Sequence, residues 1–222
     1  MTRLVLLDAE RLVYLPPEIL GSLRDGGVVI FPTDTLYGLG VDPRSEAGLE
    51  RLLAAKGRDR GKPIPLLLSG PEEVDRWARH VPEGASRLMQ RFWPGPLTIV
   101  LPAESGIHPA ITGGGDTVGL RVPDHPVPRT LARGLSGAIT GTSANRGGNP
   151  GSWESAEEIV TEFTGEVDWV LWGGKAGRAP GPGEAPAAST GSTVIGMTDD
   201  RPVLLRQGVL PFREIADYLG KG

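Results

Sequence analysis

A mixed α/β (α+β) fold, with a twisted sheet flanked by helices, is what this sequence predicts, and three observations predict it. Short β-branched apolar runs recur along the chain, as in Val28-Val29-Ile30-Phe31. Between them lie stretches with apolar residues at helical spacing, as in Leu49, Leu52 and Leu53. The two kinds alternate irregularly and no internal repeat is visible, so one domain over residues 1–222 is expected rather than a repeat array or a helix-free module.

Taken in order, Pro17 to Asp25 is a helix with Ile19, Leu20 and Leu23 on one face, stopped by Gly26-Gly27. Val28 to Phe31 is a buried strand that opens at Pro32 into a loop, Thr33-Asp34-Thr35-Leu36-Tyr37-Gly38-Leu39-Gly40. Ser45 caps a second helix, which Gly57 terminates. Pro65 to Leu68 is a strand; Pro71, with Glu72 and Glu73 in the first turn, starts a further helix, and Glu83 to Phe92 is another. Strands follow over Leu97–Leu101, Val118–Val122 and Ala138–Gly141, after the turn forced by Pro94-Gly95-Pro96. Ser155 to Phe163 is helical and Asp168 to Trp172 extended; Thr193–Met197 and Val203–Arg206 are strands, and Phe212–Leu219 closes with a helix. Residues 173–189, rich in Gly, Pro and Ala and without apolar periodicity, are expected to be a mobile loop of the kind that forms lids or linkers.

Composition narrows the function classes. Gly and Pro together make 54 of the 222 residues (33 Gly, 21 Pro), interleaved with apolar runs, which means many tight turns rather than low complexity. A net charge of -4 does not draw the whole molecule to nucleic acid, so any RNA contact needs a local basic patch. With no Cys there are no disulfides, thiol nucleophiles or Cys-ligated zinc. The apolar run Leu4–Leu7 is too short for a signal peptide and nothing approaches a membrane span, so a cytoplasmic protein with no membrane partner is expected.

Four segments carry chemistry. Lys56, Arg58, Arg60 and Lys62 face only Asp59 across a Gly-punctuated stretch; this is either a solvated helix end meeting the macrodipole or a convergent anion site. Thr142-Ser143-Ala144-Asn145 leaves a strand and is either a turn or a place where Ser143 and Asn145 touch a ligand. Arg121 is a cation in an apolar strand, so it has a structural partner or an anionic ligand. Thr33-Asp34-Thr35 follows a buried strand, where α/β proteins place ligands, but Gly38-Leu39-Gly40-Val41-Asp42-Pro43 is a poor dinucleotide fingerprint, with Pro at the third Gly position. His80, His108 and His125 are too scattered for a metal motif, and two of them stand beside Pro in expected loops as bystanders.

Seven segments in order, Phe31 to Gly40, Lys56-Gly57-Arg58, Phe92 to Thr98, Leu120 to Pro123, Ser143-Ala144-Asn145, Ser192-Thr193-Val194 and Leu205 to Gly208, together resemble the L-threonylcarbamoyladenylate synthase family, the YrdC-like domain. The resemblance covers roughly residues 12–212. It implies a mixed sheet around a large concave basic cavity and an enzyme, a nucleotidyltransferase. This enzyme joins L-threonine, bicarbonate and ATP into threonylcarbamoyl-AMP, releasing pyrophosphate. It implies partners as well: a complex that transfers the threonylcarbamoyl group to the tRNA adenosine beside the anticodon, with tRNA or double-stranded RNA contact open.

By the same resemblance Lys56, Arg58, Ser143 and Asn145 match the signature catalytic set, Arg58, Lys62, Thr117, Ser143, Gly151 and Arg206 match ATP-contacting positions, and Thr35, Arg121 and Ser192 match threonine-contacting ones. It brings magnesium with the ATP and no protein metal site. The implied nucleophile, an N-carboxylated threonine, is already an anion, so positioning and preorganised cations carry the reaction. Asp59 stands where a Pro is common and Gly191 where an acidic residue often precedes Ser-Thr-Val. With the sequence ending at Gly222, the short form without an additional C-terminal domain is expected. A non-catalytic tRNA-maturation module and a carbamoyl-transfer domain of hydrogenase maturation are the competing readings.

Overall fold

Strands, once paired, point alternate side chains to opposite faces, and here that alternation builds two sheets with the proposed site between them. The protein is described from a computed structural model over residues 1–7, 15–57, 61–146, 153–174 and 191–220. In chain order the first elements are β1 (Arg3–Leu6), α1 (Pro17–Arg24), β2 (Val29–Phe31), β3 (Gly38–Gly40), α2 (Glu46–Lys56) and β4 (Leu66–Leu68). A 3₁₀ helix (Pro71–Arg76) then leads to α3 (Glu83–Phe92), β5 (Leu97–Pro102), α4 (Pro109–Thr112), β6 (Thr117–Arg121) and α5 (Pro126–Gly134). The rest are β7 (Ala138–Thr140), β8 (Thr142–Ser143), α6 (Ala156–Glu162), β9 (Trp169–Trp172), β10 (Thr193–Gly196), β11 (Val203–Arg206) and α7 (Phe212–Leu219).

One sheet has the order β1-β9-β2-β3-β8 and the other β11-β10-β5-β6-β4-β7. Both are mixed: β1, β9 and β2 run parallel, while β3 and β8 pair antiparallel. In the larger sheet β10 is parallel to β5 and β4 to β6, with antiparallel pairs elsewhere. The mixed α/β architecture read from the sequence holds, divided into two sheets. The larger core packs Ile30, Leu39, Leu66, Ile99 and Leu120 with Leu49, Leu52 and Leu88 from the helices. A second cluster seats Ile19 and Leu23 of α1 and Leu131 of α5 against Phe31, Leu67 and Ile139.

Local details depart from the expectation in four places. Gly38–Gly40 is a strand, not loop: β3 pairs with β2 over Val29↔Gly40 and Phe31↔Gly38. Its glycines serve close approach, because a Cβ on Gly38 or Gly40 would come within 2.8 Å of the Phe31 ring. Arg3–Leu6 is an edge strand, its alternation hidden in a run that is apolar on both faces. Pro71–Arg76 winds as 3₁₀, with Trp77 N donating to Val74 O and Val74 its single buried residue. Finally, α4 and α5 arise where the Pro residues suggested loops. Both begin on Pro, whose missing N–H is harmless there. His108 and His125 are their caps, each accepting through Nδ1 from the amide two residues on, at 3.1 and 3.2 Å. The two histidines are therefore structural rather than idle. The Ser45 cap and the Gly57 terminator are as expected, Gly57 at φ 53° in the left-handed region.

Candidate functional site

On the larger sheet, period two decides what faces the cavity. Thr98 and Val100 of β5, Thr117, Gly119 and Arg121 of β6, and Ser192 and Val194 at β10 line it. The residues between them, Ile99, Val118, Leu120, Thr193 and Ile195, are buried. The opposing wall comes from Thr33 and the stretch Thr35 to Gly38, the end of α2 at Lys56-Gly57, Gly141 to Ser143, and Asn145 and Arg146. The cavity, open to solvent on one side, has a volume of about 580 Å³. Among the described residues its lining includes Lys56, Lys62, Arg121, Arg146 and Arg206 and no carboxylate. Such a space suits an anionic ligand.

Lys56 and the Ser143–Asn145 segment meet directly. The Lys56 ammonium donates to Ser143 O at 2.8 Å, to Asn145 Oδ1 at 2.9 Å, and to Asn145 O. Ser143 Oγ donates to the same Asn145 Oδ1 at 2.6 Å, which fixes the amide's orientation. β8 holds the segment from the other side through Gly38↔Ser143, and Ala144 N donates to Tyr37 O at 2.7 Å. The two readings left open at sequence level are thus resolved in part: Lys56 is not a solvated helix end, and Thr142–Asn145 is a stitched wall rather than a free turn.

Arg121 has its structural partner. It is 5% exposed, and its guanidinium donates to Asp34 Oδ1 at 2.6 Å, Gly95 O at 2.8 Å and Thr35 Oγ1 at 3.1 Å. Burial pushes its pKa down and the Asp34 carboxylate opposes this. The bridge spans from β6 of one sheet to the loop after β2 of the other. Farther along the floor, Ser192 Oγ lies 2.8 Å from Thr98 Oγ1. Arg206 Nη2 donates to Ser192 O at 2.8 Å and Ser192 Oγ at 3.2 Å. The ring of Tyr37 stacks on Trp172 with centroids 5.3 Å apart. Its hydroxyl donates to Gly174 O at 2.6 Å and accepts from Gly173 N at 3.1 Å, and burial pushes its pKa up to about 12.

Of the residues singled out from the sequence, Thr35, Lys56, Lys62, Thr117, Arg121, Ser143, Asn145, Ser192 and Arg206 all line this one cavity. Arg58 and Gly151, and the expected loop beyond Gly174, lie outside the described residues. Tyr37, Thr98 and Arg146 line it too and were not singled out as site residues, and Thr33 lines it from the segment already singled out. For Thr98 a signal existed: it is the polar residue of an otherwise apolar strand, Leu97 to Leu101. Arg146, by contrast, is engaged by Glu166 at 2.6 Å and Glu162 at 3.5 Å.

Comparison with known proteins gives a consistent answer. Among relatives, the chain is 38% identical over 201 residues to "Threonylcarbamoyl-AMP synthase" of Pyrococcus abyssi, covering 90% of this chain and 56% of the relative. It is 35% identical over 199 residues to the protein of the same name from Bacillus subtilis, covering 89% and 54%. The chain thus spans little more than half the length of these relatives. The crystal structure of P. abyssi Sua5 complexed with L-threonine superposes with a TM-score of 0.83 at 34% identity, over 99% of this chain and 61% of that one. A family profile labelled Sua5_yciO_yrdC and described as "Telomere recombination" matches residues 21–208. The chain therefore belongs to the Sua5/YciO/YrdC family.

Proposed function

We propose that this protein is a threonylcarbamoyl-AMP synthase, a nucleotidyltransferase that joins L-threonine, bicarbonate and ATP and releases pyrophosphate. The observation that carries the reading is the Lys56 clip: the ammonium gathers Ser143 and Asn145 into one wall, opposite Arg121 and Ser192 across a cavity of about 580 Å³. The named relatives from P. abyssi and B. subtilis, and the L-threonine held by the P. abyssi protein, support the same choice. Threonine would lie toward Thr35, Arg121 and Ser192, and ATP toward Lys62, Thr117, Ser143 and Arg206, with Arg58 and Gly151 as its further expected contacts and Lys56, Arg58, Ser143 and Asn145 as the expected catalytic set.

The chemistry needs no activated side chain. Carboxylation of the threonine amine supplies an anionic carbamate oxygen, which attacks the α-phosphorus while pyrophosphate leaves. Fixed cations that offset charge on the phosphoryl oxygens and the leaving group lower that barrier, as does holding two anions in contact. Magnesium fits as part of the nucleotide substrate: among the described residues the lining offers hydroxyls and no carboxylate cage, and this hard cation is commonly held by phosphate oxygens and waters. Among the described residues no helix is long and apolar enough to cross a membrane. A cytoplasmic site and a downstream transferase complex acting on tRNA complete the proposal.

The test is pyrophosphate release from purified protein. Release should require L-threonine, bicarbonate, ATP and magnesium together, with threonylcarbamoyl-AMP identified by mass. Release that proceeds equally well without L-threonine, or none at all, refutes the assignment.

A further inference from the structure

The cavity floor contains a buried hydroxyl to which the reading above gives no role. Thr98 is 2% exposed and lies on β5, between β10 and β6. The register sets it opposite Val194 on one side and, one residue before the Ile99↔Leu120 pair, beside Arg121 on the other. Among the described residues, its hydroxyl makes one contact, the 2.8 Å approach to Ser192 Oγ.

A hydroxyl carries one proton and two lone pairs, which limits the wiring here. Either hydroxyl can donate in the Thr98–Ser192 contact, and Ser192 Oγ also accepts from Arg206 Nη2 at 3.2 Å. When the proton comes from Thr98, both Ser192 lone pairs are engaged and Ser192 has only its own proton to offer the cavity. Across Arg121 the pattern reverses. Thr33 donates its proton to Leu36 O at 2.6 Å, so in its 3.1 Å contact with Thr35 the donor is Thr35. Thr35 Oγ1 accepts from Arg121 Nη1 at 3.1 Å and has one lone pair left, so toward a ligand it can only accept.

We propose that Thr98 is a positioning residue that makes Ser192 an obligate hydrogen-bond donor, as Thr33 makes Thr35 an obligate acceptor, so that the floor admits an amino acid in one orientation. The substrate carboxylate takes the Ser192 proton, and a substrate N–H or O–H reaches Thr35. The inference rests on the proposed synthase reading and adds to it a residue and a polarity.

Thr98→Val keeps the β-branched shape and removes the hydroxyl. Calorimetric titration with L-threonine and steady-state pyrophosphate release are measured on the same preparations. Loss of one hydrogen bond at a charged group should raise the Kd and KM for L-threonine about tenfold, with the KM for ATP moving less than about threefold. Thr98→Ser should recover most of the loss, and Thr98→Val combined with Ser192→Ala should bind no more weakly than Ser192→Ala alone. Should Thr98→Val not fold, Thr98→Cys, a weak donor of similar size, takes its place with the same expected loss. Unchanged L-threonine affinity, or penalties at Thr98 and Ser192 that simply add, would overturn the inference while wild-type turnover left the synthase reading standing. A wild-type protein that neither binds L-threonine nor turns over overturns both.

Discussion

The two walls of the cavity hold their cations in opposite ways. Arg121 is neutralised by a carboxylate, Asp34, and both side chains are nearly buried, 6% and 13% exposed. Lys56 donates to oxygens of Ser143 and Asn145 and is half-buried. A buried ion pair is costly to split, because the survivor is left charged without a partner. An ammonium clipped to carbonyls can be removed for little more than the hydrogen bonds it made. The Arg121 side is therefore a structural member that also lines the cavity, and the Lys56 side is a more easily detached arrangement of the opposite wall.

The largest expected effect follows from Arg121. Arg121→Ala should lower stability by about 3–5 kcal/mol, read in urea unfolding, because Asp34 stays buried and charged. Pairing Asp34→Asn with Arg121→Met should regain a large part of it; if the double variant is no more stable than Arg121→Ala, the ion pair is not what the wall rests on. Lys56→Met should cost about 1–3 kcal/mol of stability yet abolish measurable pyrophosphate release, since Ser143 and Asn145 lose their common anchor. Equal losses of stability at Lys56 and Arg121 would erase the contrast between the walls.

A third effect belongs to the Lys56 side, where Tyr37 O receives Ala144 N. Burial raises the Tyr37 pKa to about 12, above its unfolded value near 10, so the neutral phenol favours the folded state. That contribution, on the order of 2 kcal/mol, is complete below pH about 10 and lost as pH rises toward 12. Thermal melts should show a steep alkaline decline that is shallower in Tyr37→Phe.

The smallest effect is on the Arg121 side. Burial lowers the pKa of His125, with Asp34 and Asp124 opposing, and its neutral Nδ1 caps α5. A lowered pKa gives stability that is present above the unfolded value near 6.5 and lost as pH falls through the folded one. His125→Asn, which caps without titrating, should flatten the acid side of the melting profile by about 1 kcal/mol or less.

Much of this was legible in the sequence because local physics governs it. The Ser45 and Gly57 signals bracket α2, and so they place Lys56 at a helix end. The motif residues bracket the cavity because strand ends deliver them there. What stayed hidden depends on partners far along the chain. Gly38-Leu39-Gly40 reads as loop until Phe31 is laid across it, and α5 is masked by two Pro residues that a first turn tolerates. The sequence could state that Arg121 needed a partner, but only the fold says that Asp34, 87 positions away, is the one. The contact between Thr98 and Ser192 is likewise a matter of register between segments 94 residues apart.

The Arg121–Asp34 bridge joins one sheet to a loop of the other. It therefore works as a spacer, fixing the gauge of the gap by the summed length of two side chains. Lengthening one of them, as in Asp34→Glu, would retune what the gap admits while both sheets kept their packing.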